Sequence, residues 1–239
     1  MTGMAETLEQ RLSEAMREKW SYSVFFEMLL TDEAERRDNK QFMMRLAKSR
    51  LDPQKTMETF DFSFNPKVPG AVIRELSQCA FMEKKENVFI LGPSGVGKSH
   101  AAQALGHEAC RRGYDTLFYC THQLFEWIYA GRGDGTHKKK LAQVIKTPLL
   151  ILDDYALQEL NETQQIDLYQ LISERYEKRS TIITSNRDFD EWPGVFTNTL
   201  LGSAALDRLV HKGIQIIFEG ASYRLAEFKK TRAKMKKSI

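Results

Sequence analysis

Cysteine is scarce in this 239-residue chain: Cys79, Cys110 and Cys120 are all there is. Three thiols so widely spaced exclude a disulfide framework and a zinc ribbon. Cys79 and Cys110 fall in apolar helical patterns and Cys120 ends an apolar run, which suits all three to packing. Glycine is almost missing before residue 70, where Gly3 stands alone, so little in the first sixty residues would break a helix. No apolar run approaches the roughly 18 residues of a membrane span, and the opening MTGMAETLEQ lacks the apolar stretch of a secretion signal. These absences point to a reducing cytoplasm and to no membrane partner. A dominant charge is missing too: 35 basic residues nearly balance 32 acidic ones, for a net charge of +3. With 42% apolar and 28% charged residues, the chain reads as a soluble globular protein, long enough for one medium α/β domain and a smaller helical one.

The basic residues that are present cluster. After Phe228 the chain reads KKTRAKMKKSI, starting with Lys229 and Lys230, and carries no acid. His137, Lys138, Lys139 and Lys140 are consecutive. Arg36, Arg37, Lys40, Arg45, Lys48 and Arg50 form a third group that acids dilute. Such patches suit a polyanion, with DNA the first candidate; the same residues would also serve as solvated helix faces and a frayed tail.

From residue 1 to about 59 the apolar positions recur at helical spacing, through Leu8, Leu12, Met16, then Val24, Phe25, Met28 and Leu29, then Phe42, Met43 and Leu46. This predicts a bundle of about three helices. Residues 55–69 change character, with Phe60, Phe62, Phe64, Pro66 and Pro69, and read as an extended connection that docks its aromatics on the next domain. Beyond it, strand and helix signals alternate, which predicts a parallel sheet. Strands are expected at 87–91, 116–120, 149–152, 181–184 and 214–218. Helices are expected at 70–82, 98–112, 165–178 and 200–211, with two more apolar stripes around 124–129 and 141–145.

Residues 92–99 read GPSGVGKS and fit the phosphate-loop pattern G-x-x-x-x-G-K-[ST] at every fixed position. Gly92, Gly95 and Gly97 allow a turn with inward-pointing amides, and Pro93, Ser94 and Val96 complete it. Lys98 supplies a point charge for the β- and γ-phosphates, Ser99 a hydroxyl for Mg²⁺, and His100 lies in the first turn of the following helix. The apolar run before the loop and the helix after it supply the context the motif needs, with a helix dipole under the phosphates. The chain is therefore read as binding ATP.

Downstream, Leu149–Leu152 leads into Asp153 and Asp154. A buried strand ending in two acids delivers Asp153 to Mg²⁺ and Asp154 to a water that attacks the γ-phosphate. Thr181–Arg187 reads TIITSNR, and a strand ending this way sets Asn186 between the other two, near that water; the alternative is that Asn186 caps the helix that follows. Arg208, in ALDRL, is read as a finger reaching the γ-phosphate bound by a neighbouring subunit, against an internal pair with Asp207 or Glu219. Arg224, in SYRL, is open between a sensor of its own nucleotide and an anchor for the tail.

Together GPSGVGKSHAAQALG (92–106), LLILDDY (149–155), TIITSNR (181–187), ALDRLVHKG (205–213) and EGASYRL (219–225) resemble AAA+ ATPases, and among them the IstB/DnaC-like branch. FDFSF (60–64) after a small helical domain adds to the likeness, which rests on motifs over residues 55–228. The resemblance implies an α/β P-loop NTPase of AAA+ type: a five-stranded parallel sheet of order 5-1-4-3-2 flanked by helices. No C-terminal lid of the kind most AAA+ proteins have is expected, since few residues follow the last expected strand. The expected domains are 1–60, helical; 61–228, ATPase; and 229–239, a basic tail. The resemblance further implies ATP and Mg²⁺ bound between subunits, with Arg208 acting across the boundary and Asn186 at the sensor-1 position. Asp154 stands where most of the wider family has Glu, and its shorter reach to water suits slow hydrolysis. IstB-like members are ATPases that assemble on DNA and deliver it to a partner transposase; DnaC-like members load a replicative helicase. The SYRL ending and the DDY variant favour the former, with Lys138, Lys139, Lys140, Lys229 and Lys230 as candidate DNA contacts. A small-molecule kinase would need a lid arginine cluster and an acceptor pocket, and neither is visible.

Overall fold

The computed structural model of the protein describes residues 2–237. The chain divides into two compact units, Met1–Ala47 and Lys48–Ile239. In the first, helices α1 (Thr2–Glu18) and α2 (Tyr22–Ser49) replace the expected three. No glycine or proline interrupts residues 22–49, so the apolar stripe around Phe42 continues α2 instead of starting a new helix. The two helices are tied by charge. Arg11 forks onto Asp32, with Nε to Oδ2 at 2.9 Å and a terminal nitrogen to Oδ1 at 2.6 Å, and the Gly3 amide donates to Glu33 at 2.7 Å. The Arg11 hydrogen bond holds the Asp32 carboxyl down at about 2.

The second unit is built on β1 (Asn87–Leu91), β2 (Thr116–Cys120), β3 (Leu149–Asp153), β4 (Ser180–Ser185) and β5 (Gly213–Ile217). They form one sheet of order β2-β3-β4-β1-β5 with every pairing parallel. This is the expected order read from the other edge. β3 and β4 are buried along their whole length; β3 has the apolar run expected of a central parallel strand, whereas β4 sets Ile182 and Ile183 between serines and threonines.

Parallel strands need crossovers, and helices supply them: α5 (Lys98–Arg111), α6 (Thr121–Ala130), α7 (His137–Lys146), α8 (Glu162–Arg175) and α9 (Thr199–Val210). α8 begins three residues before the expected Gln165, because Asn161 and Gln164 form a capping box. The single helix expected at 70–82 is two, α3 (Gly70–Leu76) and α4 (Ala80–Lys84); between them Cys79 takes a left-handed conformation, φ 60°. α10 (Tyr223–Lys237) makes most of the expected basic tail helical. Ser238 and Ile239, which end that tail, and Met1 lie outside the described residues.

The core beneath the phosphate-loop strand is aromatic. Phe89 meets Phe189 edge-on at 5.2 Å and Trp192 at 5.7 Å, and Tyr155 meets Trp192 at 4.6 Å. Among the described residues no helix is long and apolar enough to cross a membrane.

Candidate nucleotide site

β1, β3 and β4 end side by side, because Leu91 is in register with Ser185 and Leu152 with Ile183. Everything that follows these three strands therefore meets at one edge of the sheet. After β1 comes the phosphate loop, where Gly92, Gly95 and Gly97 hold φ of 142°, 85° and 106°. Space as well as conformation demands glycine: a Cβ on Gly92 would come 2.0 Å from the Phe218 carbonyl oxygen, and one on Gly95 would come 2.1 Å from Ser222 Oγ. Pro93 and Ser94 are exposed and Val96 is buried. Lys98 opens α5 and is only 6% exposed. Its Nζ donates to the Pro93 carbonyl at 2.8 Å, so the ammonium lies folded across the loop. Ser99 is half-buried in the same turn.

After β3 come the two acids. Asp153, its last residue, is buried, and Thr184 Oγ1 donates to its Oδ1. Asp154 takes a left-handed conformation, φ 53°. In a continued strand neighbouring side chains would point to opposite faces; the kink breaks that alternation. Both carboxylates face Lys98: burial pushes the Lys98 pKa down, while Asp154 and Asp153 act against that fall. Burial and then the Asp153 charge push the Asp154 carboxyl up, with Lys98 and Arg224 opposing. Lys98, Asp153, Asp154 and Arg224 thus form one electrostatic group. Among the described residues no three His, Cys, Asp or Glu side chains gather into a metal cage. Mg²⁺ needs no such cage: it takes one or two protein oxygens and completes its shell with phosphates and water. Ser99 and Asp153 are of the right kind.

After β4 comes Asn186, exposed and one residue past the strand end. Asp188, not Asn186, caps the following 3-10 helix Phe189–Val195, so the capping alternative for Asn186 falls away.

Two further segments close over the loop. Phe60 stacks edge-on against His100 at 5.1 Å, and a Cβ on Gly97 would come 3.2 Å from the Phe60 ring. The His100 side chain is turned into this segment, with Nε2 3.1 Å from the Thr56 carbonyl and 3.2 Å from Thr59 Oγ1, so only its backbone is left to face the loop. Phe64 packs edge-on against Tyr223 at 4.8 Å, so the aromatics of 55–69 dock as expected, but through turns rather than an extended strand. From the other side the Tyr223 amide donates to Gly95 O at 2.9 Å, and Arg224 donates to Ser94 Oγ at 3.0 Å.

Arg208 lies elsewhere. It sits near the end of α9, whose Leu209 carbonyl accepts from Asn87 Nδ2 at 2.8 Å. Asn87 begins β1, so the end of α9 that carries Arg208 meets the edge of the sheet opposite the phosphate loop. Arg208 donates to the Ala204 carbonyl at 2.8 Å and lies 5.8 Å from the Tyr169 ring centroid, and it pairs with neither Asp207 nor Glu219. Of the candidate DNA contacts, Lys138, Lys139, Lys229 and Lys230 are exposed. Lys140 is half-buried instead, with its ammonium 3.0 Å from the Trp127 carbonyl and 5.2 Å from the indole centroid.

The match to known proteins agrees with this geometry. Residues 1–232 match the family model described as IstB-like ATP binding protein. The chain belongs to the IstB-like ATP-binding family. An ATP-binding protein in an insertion sequence of Mycobacterium tuberculosis is 37% identical to this IstB-like chain over 94% of it and 90% of the relative. The ATP-binding protein of insertion sequence IS21 from Pseudomonas aeruginosa is 36% identical over 96% and 87%. Among solved structures, AMPPCP-bound DnaA from Aquifex aeolicus superposes with a TM-score of 0.60 at 24% identity, over 78% of this chain and 57% of that one. DnaI also gives 0.60, at 19% identity, over 73% and 95%. These two likenesses establish the AAA+ fold of the IstB-like chain.

Sequence reasoning passed over Thr184, Ser222 and Tyr223. For Thr184 a signal existed: it is a polar residue directly after the apolar pair Ile182–Ile183 in a strand expected to be central, and buried polar groups are there to make hydrogen bonds.

Proposed function

We propose that this IstB-like protein is a Mg²⁺-dependent ATPase that assembles on DNA and there recruits or regulates the transposase of its insertion sequence. The observation that carries the reading is the meeting of Lys98, Asp153 and Asp154 at one sheet edge under a glycine-rich loop. Lys98 would pass from the Pro93 carbonyl to the β- and γ-phosphates, exchanging a neutral acceptor for a charged one. Ser99 and Asp153 would hold Mg²⁺, which neutralises charge on the phosphates when bound. Asp154, half-buried with a raised pKa, is a stronger base than a solvated carboxylate and would take the proton of the attacking water; Asn186 would orient that water. The short Asp154 side chain suits slow, DNA-stimulated turnover. Arg208, at the far edge, would serve the nucleotide of a neighbouring copy, which would make self-association ATP-dependent.

The exposed Lys138, Lys139, Lys229 and Lys230 are proposed to contact DNA phosphates without reading sequence. A replicative-helicase adaptor is supported only by likeness of fold, whereas the insertion-sequence relatives align along most of their length. Titration of random-sequence duplex DNA tests the proposal. Association should require ATP and weaken with salt at a logarithmic slope of about −3 to −4 for four phosphate contacts. No association with ATP present would remove the DNA-assembly reading.

A further inference from the structure

We infer that Thr184 is a positioning residue for the Asp153–Asp154 pair: its one hydroxyl selects which carboxylate oxygen of Asp153 is free for Mg²⁺. The inference rests on the reading of Asp153 as the Mg²⁺ ligand. Thr184 is fully buried in β4, between β3 and β1. Its Oγ1 donates to Asp153 Oδ1 and accepts the Asp154 amide at 3.1 Å, which uses the hydroxyl's donor and one of its lone pairs. Its main-chain carbonyl accepts the Tyr155 amide at 2.9 Å. One residue on, Ser185 Oγ donates to the Tyr155 carbonyl at 2.9 Å. From the β2 side Thr121 Oγ1 donates to the Asp153 carbonyl at 2.9 Å.

The last residue of β3 and the two that follow it are thus pinned by two hydroxyls of β4 and one at the start of α6. The pinning has a direction. With Oδ1 occupied by Thr184, Asp153 keeps one rotamer and presents Oδ2. With its amide held by the same oxygen, Asp154 keeps its left-handed backbone, which a non-glycine residue adopts only where its surroundings enforce it. A threonine packed here for volume alone would have no need of a hydroxyl that serves both acids at once.

The test compares Thr184→Val, which keeps the shape and removes the hydroxyl, with Thr184→Ser, which keeps the hydroxyl. Affinity for a fluorescent ADP analogue is measured on the full chain with and without Mg²⁺, alongside ATP turnover over a Mg²⁺ titration. Thr184→Val should leave metal-free affinity unchanged, because Lys98 and the glycine loop are intact. It should cut the Mg²⁺-dependent gain in affinity about tenfold or more, in the range that partners of metal ligands command. Turnover should fall with it and demand more Mg²⁺, and Thr184→Ser should restore both. If Thr184→Val does not fold, Thr184→Ala carries the same comparison. A Mg²⁺-dependent gain that survives loss of the hydroxyl, or a Ser variant as impaired as the Val, overturns the inference. A parent chain with the Mg²⁺-dependent gain but no hydrolysis would instead remove the ATPase reading and leave this one standing.

Discussion

Two buried cations stand at opposite edges of the same sheet and are treated very differently. Arg175, 3% exposed at the end of α8, donates from Nε to Thr181 Oγ1 at 3.1 Å and from its terminal nitrogens to the carbonyls of Val144, Ile145, Thr147, Pro148 and Ser180. Burial lowers its pKa, but every donor has an acceptor, so the charge is held. Lys98, 6% exposed, has one carbonyl and two carboxylates across the site. The first cation ties together the starts of β3 and β4 and has nothing left to bind with. The second keeps donors in reserve, and reserve is what a ligand needs. Arg208 belongs with Lys98 by this measure: a five-donor guanidinium engaged with the single Ala204 carbonyl and the Tyr169 ring. Cations with donors left over thus stand at both edges of the sheet.

The comparison breaks first at Arg175. Arg175→Met strands buried carbonyls and should cost about 3–5 kcal/mol in urea unfolding; a loss below about 1 kcal/mol would mean that its saturation carries no structural weight. Next is Arg208→Ala, which should leave ATP binding intact and slow hydrolysis by roughly 10³-fold. Mixing it with Lys98→Ala subunits should recover activity, since each then supplies what the other lacks; failure to complement argues against action across the boundary. Lys98→Ala should weaken binding of a fluorescent ATP analogue by about 100-fold, the scale of a lost pair of charge-assisted contacts. The melting temperature of the nucleotide-free protein should stay within about 2 °C, since Lys98 has a single carbonyl partner there. A large stability loss would put Lys98 in the class of Arg175.

The smallest effect concerns pH. The Asp154 carboxyl is raised in the folded protein, chiefly by burial. The folded state therefore binds this proton more tightly than the unfolded chain, and ionisation costs stability as pH rises from the unfolded carboxylate value near 3.9 through the raised folded one. Asp154→Asn should raise the nucleotide-free melting temperature at pH 7 by on the order of 2 °C, discounted for the part of the side chain that water screens. The gain should vanish toward pH 4. A gain that grows on acidification would reverse the sign and with it the account of Asp154 as a desolvated base.

Much of this was readable along the chain. The glycines of the phosphate loop, Lys98, Ser99 and the run into Asp153 and Asp154 are local patterns, and each of the five strands lies within a residue or so of its expected place. The misses share a cause. The helix at 70–82 breaks at Cys79, whose left-handed backbone no composition rule marks. Lys140 reads like Lys138 and Lys139 in a charge run, yet one helical position away it meets Trp127. His100 follows the loop in sequence, but its ring belongs to Thr56, Thr59 and Phe60.

What the amino-acid order determined by itself was the nucleotide class and the sheet, because a phosphate loop needs only a few consecutive backbone angles and a buried parallel strand needs only an unbroken apolar run. What tertiary structure alone decided was who touches whom around that loop. Thr184 reaches Asp153 across 31 positions and Arg224 reaches Ser94 across 130. Such meetings follow from strand register and from the order in which β4 slots between β3 and β1, and neither is written in any stretch short enough to be read locally.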